Sequence, residues 1–242
     1  MWVLVPVKTP TRAKQRLATI LTLDERRDLA RAMALDLLGL LAAHQGIGPA
    51  SGLGPVIVCG NDASTEDLAR AAGVRYLAES ALGCGGLSPV VNAAATVFAS
   101  EGAQDLLVIH GDVPLLSHDE LERFLQAHRK AAPQAVTLAP DRWHGGTNLL
   151  AWRPIASFSV QYGEGSFRRH CDSATRNGAD LTVCELPGAS IDVDELADLR
   201  AVVQAVSAQL APHTRRFLHD SGIGNRLSES GWPGKSPPTG RP

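Results

Sequence analysis

Much of what would commit a protein chain to a familiar role is missing here. No apolar run approaches the ~18 residues that a membrane-crossing helix requires. The apolar start "MWVLVPVK" is too short for a signal-peptide core and meets Lys8 at once, so a cytoplasmic location and no membrane partner are expected. Cysteine is scarce. Cys59, Cys84, Cys171 and Cys184 are scattered without a C-x-x-C pair, which disfavours zinc and disulfide frameworks and fits reduced thiols. The formal charge of -2 lacks the basic excess of a nucleic-acid binder, so the partner should be a small molecule. No Gly-x-Gly-x-x-Gly follows the first apolar segment and no Gly-x-x-x-x-Gly-Lys-Ser/Thr occurs, which disfavours a dinucleotide fold and a P-loop enzyme.

What is present is an alternation of strand and helix signals. After "WVLVPVK" and a loop, "TLDERRDLARAMALDLLGLLAAH" predicts a helix, with Thr22 and Glu25 as a capping box and Leu29, Met33, Leu37 and Leu40 at helical spacing. Strands are expected at "PVIVCG", "VRYLAE", "DLLVI", "AVTLAP", "TNLLAW" and "DLTVCEL", with helices between most of them and a last helix in "DELADLRAVVQAVSAQLA". Ser117 and Glu120 form a second capping box. This order predicts a single α/β domain over residues 1–211, built on a mostly parallel, doubly wound sheet. From Pro212 the chain turns rich in Gly, Ser and Pro, and residues 212–242 are expected to be a disordered tail.

Four stretches carry chemistry. "DLLVIHGDVPLL" is a short apolar run that ends in Gly111-Asp112, which sets a carboxylate at the carboxyl edge of a buried strand, where open α/β sheets bind ligands. "KTPTRAKQRLA" crowds Lys8, Arg12, Lys14 and Arg16 into the loop after the first strand, an arrangement suited to a polyphosphate. "YGEGSFRRH" places Gly163, Gly165 and Ser166 before a helix, where backbone N–H groups favour an anion; Ser166 as an ordinary N-cap is the alternative. "SIDVDELADL" offers Asp192 and Asp194 on one face of an extended segment, and Asp194 could equally cap the last helix. Carboxylates for Mg²⁺ with cations around a triphosphate are the apparatus of phosphoryl or nucleotidyl transfer.

"KTPTRAKQRLA", "GDVPLL", "DRWHGGTNLL", "YGEGSFRRH" and "IDVDELADL" occur in this order, and together they resemble the 2-phospholactate guanylyltransferase family of deazaflavin-coenzyme biosynthesis over about residues 2–205. The resemblance implies a nucleotidyltransferase-like fold and transfer of GMP from GTP to 2-phospholactate, phosphoenolpyruvate or 3-phosphoglycerate, with release of pyrophosphate. It implies Asp112, Asp192 and Asp194 as Mg²⁺ ligands, Lys14 and Arg16 on the triphosphate, and Thr147, Gly163 and Ser166 on the acceptor acid. Asn92 matches an asparagine near the guanine. A homodimer is compatible with the sequence.

The chain departs from the family pattern at "HGGT", where many members have Gly-Thr-Gly-Thr, and at "GGLSPVVN". If it faces the substrate, His144 becomes an added hydrogen-bonding group beside the acceptor, which favours 3-phospho-D-glycerate with its free hydroxyl; an ordinary surface-loop residue is the alternative. Rival readings are a nucleotidyltransferase with a molybdopterin or sugar-phosphate acceptor, and a non-catalytic nucleotide-binding module.

Overall fold

The computed structural model describes residues 1–7, 14–45, 52–207 and 209–229. Among the described residues seven strands form one sheet: β1 (Trp2–Pro6), β2 (Val56–Gly60), β3 (Arg75–Ala78), β4 (Leu106–Ile109), β5 (Ala135–Pro140), β6 (Thr147–Arg153) and β7 (Asp180–Val183). Their spatial order is β3-β2-β1-β4-β6-β5-β7. β1 pairs in parallel with both β2 and β4, β2 with β3, and β5 with β7, whereas β6 runs antiparallel to β4 and β5. The sheet is therefore mostly parallel, as the strand–helix alternation requires, with one reversed strand.

Side chains alternate across this sheet, so neighbouring residues of one strand enter different cores. Val3 and Val5 of β1 join Val58, Leu107 and Ile109 on one face, covered by α1 (Leu23–Gln45), α2 (Ala63–Ala71) and α4 (His118–Lys130). Leu4 joins Ile57, Val108, Leu150 and Trp152 on the other, covered by α3 (Leu87–Ser100) and α5 (Ser166–Arg176). Both capping boxes form: Thr22 and Glu25 bond each other's backbone N–H, and so do Ser117 and Glu120.

The C-terminal part departs from expectation. α6 (Leu196–Ala205) is followed by α7 (Pro212–Asp220) and α8 (Ile223–Glu229), where composition pointed to an unfolded tail. Leu218, Ile223 and Leu227 pack with Leu29 and Met33 of α1 and with Leu199 and Val202 of α6 in a third core. The physical reason is that few apolar residues suffice when they fall on one helical face. α7 also gains a cap from outside itself: the buried Asp36 carboxylate on α1 accepts from the backbone N–H groups of His213 and Thr214, each at 2.8 Å. The folded unit extends to at least residue 229, and 230–242 lie outside the described residues.

Candidate active site

The order β2-β1-β4 places the reversal of chain winding between β1 and β4, and open α/β sheets bind ligands at the carboxyl ends of strands flanking such a point. Val3 and Leu4 pair with Leu107 and Val108, so the loops leaving β1 and β4 emerge side by side. Lys14 comes from the first loop and His110, Gly111 and Asp112 from the second. With Gln15, Arg16, Asp194 and the apolar Val7, Ala30, Ala34 and Leu87, they line a cleft of about 330 Å³.

Lys14 is the pivot of this cleft. Its Nζ donates to Asp112 Oδ2 at 2.5 Å and to Asp194 Oδ1 at 3.1 Å, and the side chain is nearly buried. Burial alone would lower its pKa. The two carboxylates outweigh that and hold it above the ordinary lysine value. Lys14 adopts φ 58°, a left-handed conformation that non-glycine residues take at a cost, and the surrounding contacts hold it there. Asp192 lies in the same electrostatic field. Burial first, then Asp112 and Asp194, push its carboxyl up to about 6, while Asn148 Nδ2 donates to it at 3.3 Å. Asp194 was also a candidate helix cap. Its side chain instead serves Lys14, and Asp198 accepts from the backbone N–H groups of Asp194 and Glu195.

Across the edge of the sheet lies a second group of sequence candidates. Because β6 is antiparallel, its first residues, Thr147 and Asn148, fall at the edge where β4 ends, and His110 donates its backbone N–H to Asn148 O. Ser166 opens α5 and is buried. It is not the N-cap, since Gly165 takes that position at φ 71°, and Gly163 has φ 117°. Both glycines occupy backbone conformations that L side chains rarely adopt, which is why the turn carries glycine at these two points. Arg169 ties the turn down by donating to the carbonyls of Gln161 and Glu164.

Two expected substrate contacts are otherwise engaged. Asn92 donates to Val160 O and accepts from Val160 N–H, at 3.2 and 2.9 Å, so its amide clamps α3 to the segment before α5. His144, at φ 55°, places Nε2 3.3 Å from Glu185 Oε1 and its ring 5.0 Å from that of Phe167. Lys8 and Arg12 lie outside the described residues. Arg16 lines the cleft and is exposed.

Sequence reasoning passed over three residues. His110 precedes Gly111-Asp112 and lines the cleft, a position readable from the strand end alone. Asn148, next to Thr147, joins β6 to the acidic segment through Ala189 O and Asp192. His170, the last residue of "YGEGSFRRH", is fully buried, with Nδ1 3.0 Å from Thr147 Oγ1. Nothing in its one-dimensional context marks that contact.

The fold is that of the nucleotidyltransferases and nucleotide-diphospho-sugar transferases. A putative nucleotide-diphospho-sugar transferase from Desulfovibrio desulfuricans G20 superposes with a TM-score of 0.71 at 17% identity, over 93% of this chain and 96% of that one. The family model described as "Guanylyl transferase CofC like" matches residues 1–231, and the chain belongs to that family. A phosphoenolpyruvate guanylyltransferase of Roseiflexus castenholzii is 32% identical over 92% of this chain and 97% of its own length. A 2-phospho-L-lactate guanylyltransferase of Haloarcula marismortui is 35% identical over 82% and 83% respectively.

Proposed function

We propose that this protein transfers GMP from GTP to a small phosphorylated three-carbon carboxylic acid and releases pyrophosphate, a step of deazaflavin-coenzyme assembly. The observation that carries the reading is the meeting of Lys14, Arg16, Asp112 and Asp194 in one cleft at the winding reversal of the sheet. The family and the names of the relatives support it. Lys14 and Arg16 would meet the triphosphate. Thr147 and the glycine turn that opens α5, with Gly163 and Ser166, would hold the acceptor's phosphate and carboxylate. The acceptor oxygen is already an anion at neutral pH, so no general base is needed. The chain has to bring two anions together, exclude water with Leu87, Ala30 and Ala34, and offset charge at the reacting phosphorus.

A divalent metal fits the donor set. Asp112, Asp192 and Asp194 offer only hard carboxylate oxygens, the kind of ligand Mg²⁺ takes. Burial, and after it the charges of Asp112 and Asp194, push Asp192 up, and a cation would offset the repulsion among the three carboxylates. Among the described residues no three such side chains form a preassembled cluster, and Lys14 Nζ stands between two of them. Mg²⁺ held by these carboxylates would supply charge neutralisation to the phosphates.

His144 meets Glu185 at 3.3 Å on an exposed part of its loop, a contact that neither supports nor opposes 3-phospho-D-glycerate as the acceptor. The names of the relatives favour phosphoenolpyruvate or 2-phospho-L-lactate instead. Purified protein with GTP and Mg²⁺ and each of the three acids, with products identified by mass, is the test. A guanylylated acid and stoichiometric pyrophosphate are expected with at least one. No product with any of the three, alongside GMP transfer to a molybdopterin or a sugar phosphate, would overturn the acceptor class.

A further inference from the structure

We propose that His170 is a positioning residue for the acceptor acid: through its Nδ1–H it engages an oxygen lone pair of Thr147 and leaves the Thr147 hydroxyl hydrogen free to be donated to an anionic oxygen of that acid. The proposal rests on the functional reading above, which places the acid at Thr147.

The tautomer follows from the backbone. The Gln161 amide is a fixed donor and reaches His170 Nε2 at 2.9 Å. A ring nitrogen that accepts carries no hydrogen, so the neutral imidazole must hold its proton on Nδ1. Nδ1 lies 3.0 Å from Thr147 Oγ1, which makes the ring the donor of that bond and the threonine oxygen its acceptor. Protonating the ring would set two N–H groups against each other at Nε2. Consistently, burial, followed by Arg169 and His110, pushes the His170 pKa down to about 4. Ring rotation is opposed by Tyr162, edge-on at 5.1 Å, and by Phe158 at 6.1 Å.

The consequence is directional. A phosphate or carboxylate offers only acceptor oxygens, so a threonine beside it is useful to the extent that its hydrogen is not spent elsewhere. A hydrogen bond to an ionised group is roughly twice as strong as one between neutral groups. A protein acceptor at Oγ1 would take that hydrogen, whereas the His170 donor does not compete for it. The chain from Gln161 through His170 to Thr147 therefore makes the threonine oxygen an acceptor towards the ring and leaves its hydrogen to be donated elsewhere.

The first test is spectroscopic and independent of turnover. In ¹⁵N-labelled wild-type protein at pH 7, long-range ¹H–¹⁵N correlations of His170 are expected to show a protonated Nδ1 and an unprotonated Nε2. An Nε2–H tautomer or an imidazolium overturns the proposal. The second test is kinetic. His170→Asn keeps an N–H donor near the Nδ1 position, and His170→Gln keeps an acceptor near Nε2 but loses the bond to Thr147. The Gln variant should raise KM for the acid about 10-fold, equivalent to about 1.4 kcal/mol and so to the net worth of one such hydrogen bond; the Asn variant should raise it much less, and neither should move KM for GTP. Thr147→Val should show the same loss, and adding His170→Gln to it should cost little more. Multiplying losses, or equal damage to GTP and acid, would reduce His170 to fold support and sink the idea. A wild-type protein with the expected tautomer that guanylylates no acid overturns it by a different route, through the functional reading.

Discussion

Lys14 and Arg16 stand two residues apart in the same basic loop, yet the structure gives them different physics. Lys14 is nearly buried between two carboxylates, so replacing it leaves Asp112 and Asp194 facing each other and disturbs folding as well as binding. Arg16 is exposed at the cleft. Arg16→Ala is therefore the clean probe: GTP affinity should fall at least ~10-fold, with a stability change within about 0.5 kcal/mol, as for surface substitutions generally. Equal GTP affinity by calorimetry would make the loop a solvated face. Asp112→Asn keeps size and hydrogen bonding while removing a charge, and turnover should drop by ~10²-fold or more, because a preorganised charge at the transferring group is worth about 3 to 4 kcal/mol. Near-wild-type turnover at saturating Mg²⁺ would take Asp112 out of the site.

Among the elements, α7 and α8 overturn a reading made from composition. A chain ending at Leu210 would strip Leu218, Ile223 and Leu227 from the third core and expose the α1 surface they cover. At about 1.5 to 3 kcal/mol for each large apolar side chain, truncation should cost several kcal/mol, read as a clear fall in the urea midpoint. Asp36→Ala isolates the docking of α7 from its bulk. It leaves two backbone N–H groups at the helix start without their acceptor and should cost about 1 to 2 kcal/mol. A truncated protein as stable as the full chain would mean that these helices are passengers.

For the whole molecule, pH is the lever the buried histidines provide. His128 and His170 are both fully buried and both pushed down to about 4, chiefly by burial. Unfolded histidine titrates near 6.5, so between these values the unfolded chain binds more protons than the folded one. Stability from this source is complete above about pH 6.5 and is lost progressively as pH falls toward 4, by about 2 kcal/mol per histidine at pH 5. Denaturant melts at pH 7 and pH 5 should show that loss. Asp192, held near 6 in the folded chain, takes up its proton over the same interval and offsets part of this loss, so the net fall should be smaller than the two histidines alone would give; no fall at all would mean that the imidazoles are not held neutral.

Local patterns were enough for several features of this protein. Alternating strand and helix signals determined a mostly parallel α/β sheet, the pairs Thr22/Glu25 and Ser117/Glu120 determined two helix starts, and the apolar run ending in Gly111-Asp112 determined a carboxylate at a strand's carboxyl end. Each of these depends on residues within a few positions of one another. The reversal of β6, the capping of α7 by Asp36, the placing of Lys14 against Asp112 and Asp194, and the contact of His170 with Thr147 were decided only in three dimensions. The partners there are 23 to 180 residues apart wherever a side chain makes the link. Such pairings depend on how whole elements pack, and the direction of β6, which brings Thr147 to the active edge, is set by its neighbours β4 and β5, since a buried apolar strand can pair in either direction.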